Sequence, residues 1–232
     1  MCDTCGCGDS RLVPVDVHER ILASNERTAR HNRHHLQADG VFAINLMGSP
    51  GSGKTALLEA TAAALRDRGQ RIGAMSGDLA TDRDAERLRR AGIPSVGITT
   101  GQACHLDAEM VHEALHAPPW KELDYLFIEN VGNLVCPAIY DLGQQANVVA
   151  LSVTEGVDKP LKYPVMFRKA DLVVITKIDL LPHLGDVSLE AIDDALGRVM
   201  PVPNSIAVSA RTGEGLAGWI RWLLAQHVTL AG

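Results

Sequence analysis

The sequence predicts an α/β fold: a mostly parallel sheet with helices on both faces. Two observations carry that reading. Apolar runs of strand length alternate with helical segments through residues 39–232, the pattern of a covered parallel sheet. In addition, Gly48-Ser49-Pro50-Gly51-Ser52-Gly53-Lys54-Thr55 is a complete G-x-x-x-x-G-K-[ST] phosphate-binding loop set between a strand and a helix, the context that separates such a loop from a chance match.

The elements follow in order. Residues 1–10 show no apolar periodicity and hold Cys2, Cys5 and Cys7, so they read as a metal-binding tail. Residues 11–38 form an N-terminal helical segment in which Ile21, Leu22, Ala29 and Leu36 sit among polar residues, an exposed or docking helix. His31, His34 and His35 could share a face of that helix, and they read as solvated rather than as a storage site. The P-loop domain then occupies 39–232. Its strands are expected near 41–47, 71–75, 94–98, 124–128, 147–153, 171–176 and 204–208. Its helices are expected over 54–68, 82–91, 105–116, 161–168, 188–199 and 214–226. Ligands of such sheets bind at the carboxyl ends of the strands.

Composition narrows the function. The chain has 232 residues, enough for one substantial core. It carries 22 basic and 28 acidic residues, a net charge of −6, which argues against nucleic acid as a partner. No apolar run reaches the roughly 20 residues needed to span a bilayer, and no export signal is visible, so a cytoplasmic protein without a membrane partner is expected. Five cysteines in a reducing compartment point to metal ligands or free thiols rather than disulfides.

The loop at 48–55 defines a nucleoside triphosphate site. Glycines let successive N–H groups turn inward on phosphate oxygens, and the helix opening at Ala56 adds its positive end. Lys54 is expected on the β- and γ-phosphates and Thr55 on Mg²⁺. Downstream, Thr176-Lys177-Ile178-Asp179 resembles the N-K-x-D guanine-recognition motif, with Thr176 where Asn is usual. Asp179 can accept from guanine N1–H and N2–H₂ together, a pair that adenine does not offer. Ser209-Ala210-Arg211 resembles the S-A-K loop that supports the same base. In this order, the motifs favour GTP over ATP.

Three acidic positions are candidates around the metal and the attacking water. Asp78, at the end of the second strand, is expected in the Mg²⁺ shell opposite Thr55, and Asp84 is expected to orient water. Asp82 and Asp84 equally suit the first turn of a helix. Glu129-Asn130-Val131-Gly132 occupies the place of a D-x-x-G switch with Glu for Asp, so Glu129 joins the Mg²⁺ candidates and Gly132 can offer its N–H to the γ-phosphate. Neither a catalytic glutamine nor an intrinsic arginine finger is evident, which implies slow turnover.

A second constellation is soft. Cys104, His105 and Cys136 combine thiolate and imidazole, a set suited to Ni²⁺ or Zn²⁺. Adjacent side chains diverge on most backbones, so two copies across a two-fold axis are expected to complete the site.

Together these motifs closely resemble the HypB family of hydrogenase nickel-incorporation GTPases, relatives of the urease-accessory GTPases. The resemblance rests on Met1-Cys2-Asp3-Thr4-Cys5-Gly6-Cys7-Gly8, the phosphate loop, Gly101-Gln102-Ala103-Cys104-His105-Leu106-Asp107, the 129–137 segment and Asp158-Lys159-Pro160-Leu161-Lys162-Tyr163-Pro164. It implies a SIMIBI-type GTPase that dimerises with GTP and helps deliver Ni²⁺ to the [NiFe]-hydrogenase large subunit alongside a HypA-like nickel chaperone. It also implies an internal Ni²⁺ or Zn²⁺ site on Cys104, His105 and Cys136, and N-terminal nickel binding through Cys2, Cys5 and Cys7. Competing readings are a metal storage or sensing protein with a vestigial nucleotide site, a chaperone GTPase for another metalloenzyme such as urease, and a thiol-disulfide protein built on Cys2 and Cys5.

Overall fold

Runs that are apolar at nearly every position are stable as strands only where both faces are covered, and here they form the middle of one sheet. The computed structural model describes residues 13–101, 103–117 and 120–230; Cys2, Cys5, Cys7 and Gln102 lie outside them. The strands are β1 (Phe42–Met47), β2 (Ile72–Asp78), β3 (Ser95–Thr99), β4 (Tyr125–Glu129), β5 (Ala146–Ser152), β6 (Leu172–Thr176) and β7 (Ser205–Val208). All pairs are parallel, in the order β3-β2-β4-β1-β5-β6-β7.

The helices are α1 (Val13–Ala38), α2 (Lys54–Arg66), α3 (Arg83–Arg90), α4 (Ala108–Leu115), α5 (Lys159–Lys162), α6 (Pro164–Arg168), α7 (Leu189–Gly197) and α8 (Leu216–Leu230). Each expected strand and helix is present, with three informative differences at the boundaries. β2 runs on to Asp78, because Ser76, Gly77 and Asp78 continue in register with Gly97, Ile98 and Thr99. The segment 161–168 splits at Pro164, which has no N–H to continue α5. The helix expected from 105 begins only at Ala108, where Asp107 caps it by accepting from the Met110 N–H. His105 is therefore left in a loop.

One apolar layer joins α2 and α8 to the sheet through Leu57, Leu58, Phe127 and Trp219. Another packs α6 and α7 through Phe167, Ile175 and Ile192. The N-terminal helix docks. Ala29 and Leu36 are buried, the buried Asn32 amide donates to Ala108 O at 2.8 Å and Leu142 O at 3.2 Å, and Arg33 pairs with Asp141 at 2.7 Å. Strand order reverses across β1, whose neighbours β4 and β5 lie on opposite sides. A crevice opens at that point, beyond the carboxyl ends of the strands.

Candidate nucleotide site and metal centre

The phosphate loop occupies that crevice. β1 ends at Met47 and α2 begins at Lys54, so the loop between them turns back over the strand end. A Cβ on Gly48 would collide with the Ala150 carbonyl oxygen and lie 2.7 Å from Ser52 Oγ, so this position requires glycine. Lys54 is buried and curls over its own loop, its Nζ donating to Ser49 O at 3.2 Å and Gly48 O at 3.3 Å. Burial lowers its pKa, opposed by the charges of Glu129, Asp84 and Glu155.

Thr55 Oγ1 lies 2.9 Å from Glu129 Oε1 and 3.2 Å from Asp84 Oδ1. A hydroxyl has one proton and cannot satisfy two carboxylates. Glu129 Oε2 is buried with no hydrogen-bond partner, a costly arrangement for an ionised group. This orphaned oxygen beside a hydroxyl and a second carboxylate is an all-oxygen donor set that fits Mg²⁺. Asp78 lies elsewhere. Its Oδ1 accepts from the Ala80 N–H at 3.0 Å, the Thr81 N–H at 2.9 Å and the Thr81 hydroxyl at 3.2 Å, and these contacts hold its pKa low. Asp78 lines the same cleft of about 510 Å³, but the carboxylate brought onto Thr55 from that region is Asp84. The water-bridged role expected of Asp78 sets it opposite Thr55 rather than in contact with it, and the turn Ala80–Thr81 holds its Oδ1. Arg87 also lines this cleft, bound bidentately to Glu59 at 2.8 and 2.6 Å. Sequence reading did not find it; its position one turn after Asp84 on α3 was the available signal.

Burial pushes the pKa of Glu129 up to about 7, opposed by Lys54 and the Thr55 hydrogen bond. In the unfolded chain such a group titrates near ~4.3. The folded state therefore holds the proton over the interval between, so the stability it brings is full below the unfolded value and lost as pH rises through about 7. Without nucleotide or metal, Glu129→Gln is expected to stabilise the protein at alkaline pH by about 3–4 kcal/mol and to change little at mildly acidic pH. Thermal melts at the two pH values check this; an equal shift at both would contradict it.

On the base side, a cavity of about 270 Å³ is lined by Gly53, Ala56, Thr176, Lys177, Asp179 and Arg211, among others. Thr176 Oγ1 donates to Ser52 O at 2.5 Å, so the hydroxyl that replaces the usual carboxamide still braces the phosphate loop. Lys177 takes a left-handed conformation (φ 59°), and its Nζ reaches Gly51 O at 2.6 Å. Asp179 is oriented by the Ser209 hydroxyl at 2.7 Å, with Arg211 at 3.9 Å. Ala210 lines the same cavity. The two downstream motifs thus meet on one carboxylate.

Residues 129–136 touch both sites. A Cβ on Gly132 would lie 2.8 Å from Pro50 Cγ, which makes glycine necessary where this segment crosses the phosphate loop. The next residue, Asn133, forms a backbone bridge with Gly48, and its Nδ2 donates to Cys104 O at 3.1 Å. Asn130 Oδ1 accepts from the Leu106 N–H at 3.1 Å.

Cys104, His105 and Cys136 offer donor atoms that all lie within 4.8 Å of one another. The two Sγ atoms are 3.0 Å apart and Cys104 Sγ is 3.9 Å from His105 Nδ1. The expectation that neighbouring Cys104 and His105 diverge is corrected here, since one chain gathers all three donors. Because α4 starts late, His105 sits on irregular backbone, and its ring stacks on Tyr140 at 4.0 Å between centroids. The hydrogen bond with Cys104, then burial, raises the pKa of Cys136, and burial lowers that of His105. Neutral imidazole and a thiol pair that must shed protons suit a divalent cation of borderline softness, bound in competition with protons.

Fold and site together define a P-loop nucleotide-binding protein with a thiol–imidazole centre beside its phosphate loop. The model of the "CobW/HypB/UreG, nucleotide-binding domain" family matches residues 42–202. Hydrogenase maturation factor HypB of Azotobacter vinelandii is 49% identical over 224 residues, 97% of this chain and 73% of that protein. HypB of Escherichia coli strain K12 is 43% identical, over 96% and 75% respectively. HypB of Helicobacter pylori, solved in complex with nickel, matches with a TM-score of 0.83 at 37% identity, covering 89% of this chain and 96% of that one. The chain belongs to the HypB family of hydrogenase maturation factors. A signal recognition particle 54 kDa protein from Aeropyrum pernix, 17% identical with a TM-score of 0.56, shares the fold alone. Among the described residues, no helix is long and apolar enough to cross a membrane.

Proposed function

We propose that this chain hydrolyses GTP, slowly, and uses the nucleotide state to hold or release Ni²⁺ on its way to the [NiFe]-hydrogenase large subunit. One observation carries the reading: Asn133, which bridges to Gly48 of the phosphate loop and donates to Cys104 O at 3.1 Å, stands three residues before Cys136. A change at the γ-phosphate can therefore reach both thiols through one residue.

In this reading Gly48–Thr55 and Ala56 cradle the phosphates, with Lys54 neutralising the β- and γ-oxygens. Thr176, Lys177, Asp179, Ser209, Ala210 and Arg211 hold guanine. Thr55 and Glu129 hold Mg²⁺, and Asp78 and Asp84 divide the water-bridged shell and the attacking water, with Asp84 nearer the hydroxyl. An Mg²⁺ held by these residues would supply positive charge against the charge that develops on the phosphates. Gly132 offers its N–H to the γ-phosphate, ordering 129–136 and setting Cys136 against Cys104 and His105. GTP-dependent homodimerisation completes or closes the metal site, whose fourth position one chain leaves to another donor. A tail over 1–10, a docking helix over 11–38 and a GTPase domain over 39–232 divide the work, and a HypA-like nickel chaperone is the partner for transfer.

Ni²⁺ affinity is expected to differ about 10-fold or more between GDP and a non-hydrolysable GTP analogue, the scale of ordinary site–site coupling. Asn133→Ala should remove most of that difference while keeping all three donors. Equal affinities in the wild-type protein would remove the coupling. A storage protein with a vestigial nucleotide site is the rival. The complete set Lys54, Thr55, Glu129 and Asp179 speaks against it.

A further inference from the structure

α1 packs against α4, and the seam between them carries four histidines. On α1, His31 and His35 are one turn apart with ring centroids 4.5 Å apart. On α4, His112 and the C-cap residue His116 repeat that spacing at 4.8 Å. His31 and His112 close the gap between the helices at 5.1 Å. Each pair is an i, i+4 arrangement on one helical face, the spacing with which helices present two imidazoles to a single zinc ion. Metal–nitrogen bonds of ~2.0–2.1 Å put the ring centres of two imidazoles on one tetrahedral ion roughly 5 Å apart. The three separations along the seam match that value.

The tautomer of His112 is set from behind. Asn32 is buried, and its Nδ2 donates to Ala108 O and Leu142 O, which can only accept. Its Oδ1 therefore faces His112 Nδ1, 3.0 Å away, as an acceptor. Nδ1 must carry the proton, and Nε2 keeps its lone pair. A ligating histidine held by a hydrogen bond through its other nitrogen is the usual outer-shell arrangement at metal sites. His31, His35 and His116 are exposed and free to rotate toward that nitrogen. Glu109 contacts Thr28 at 3.3 Å one turn earlier on the same seam, adding negative charge.

We propose that His31, His35, His112 and His116 form a second divalent-metal site, all-imidazole and built around His112 Nε2, that takes Ni²⁺ or Zn²⁺ independently of the thiol centre. As they stand, only Cys104, His105 and Cys136 bring three donors within 4.8 Å among the described residues, so the histidine site forms by side-chain rotation and binds more weakly. Such a site offers the ion a faster-exchanging foothold on the helix that follows His105.

The test uses the full chain with Cys2, Cys5, Cys7, Cys104 and Cys136 replaced by serine, titrated with Ni²⁺ alone by calorimetry. One bound equivalent is expected, weakened about 10-fold or more by His31→Gln and by His112→Gln, with His34→Gln as the control that leaves it unchanged. No bound equivalent, or an equivalent insensitive to both substitutions, overturns the proposal. In case the five-fold variant does not fold, the unsubstituted chain is titrated past its thiol sites while its imidazole resonances are followed by NMR. Selective paramagnetic broadening of His31, His35, His112 and His116 is expected. Broadening of His34 and His183 to the same extent would overturn it.

Discussion

Lys54→Ala is expected to lower GTP turnover by roughly 10²–10³-fold, the cost of removing one preorganised group from developing transition-state charge. The side chain is buried within a loop whose other phosphate donors are backbone N–H groups, so no neighbouring cation takes its place. The other cations lining the cleft are both engaged, Arg87 on Glu59 at 2.6 Å and Lys177 on the Gly51 carbonyl at 2.6 Å. Removing the ammonium also leaves Glu129 and Asp84 facing each other across Thr55 with Arg87 as the remaining charge that acts on both. Thermal melts beside the assay separate loss of fold from loss of chemistry, and Lys54→Gln preserves most of the packing. Turnover equal to wild type in both variants would identify a metal-binding protein whose nucleotide site does no chemistry.

The second large effect is at the thiol centre. Metal binding by four ligands amounts to about 10–16 kcal/mol at neutral pH, so one ligand is responsible for about 3 kcal/mol, or roughly 10²-fold in affinity. Cys136→Ala is expected to weaken Ni²⁺ binding at the internal centre by that factor, measured in a chain whose Cys2, Cys5 and Cys7 are replaced by serine. Cys104→Ala should match it, since the two sulfurs are equivalent donors lying side by side, 3.0 Å apart. His105→Ala should cost a comparable amount and also remove the stack on Tyr140. Undiminished affinity in all three would place the nickel elsewhere on the chain.

How much of this was legible in the sequence depends on how far each claim reaches along the chain. The docking of α1 was half visible, since Ala29 and Leu36 mark an apolar stripe, while the buried Asn32 that anchors it looks like any polar helix residue. Thr176 stands where asparagine is usual. The structure shows its hydroxyl on Ser52 O, a contact between residues 124 positions apart that no local pattern reveals. That Asp84, and not Asp78, lies against the Thr55 hydroxyl has no signal in the spacing, because two backbone N–H groups of the turn 80–81 hold Asp78.

The sequence by itself determined what depends on neighbouring residues. The glycines and Lys54-Thr55 of the phosphate loop, the apolar runs that must be covered strands, and the proline that splits α5 from α6 each act through local backbone geometry. Only the tertiary structure decided which distant residues meet: Asp84 with Thr55, Cys104 with Cys136, His31 with His112. Those meetings follow from strand order and from how each crossover helix settles on the sheet. Both are set by burial summed over the whole core, a quantity that no single segment carries.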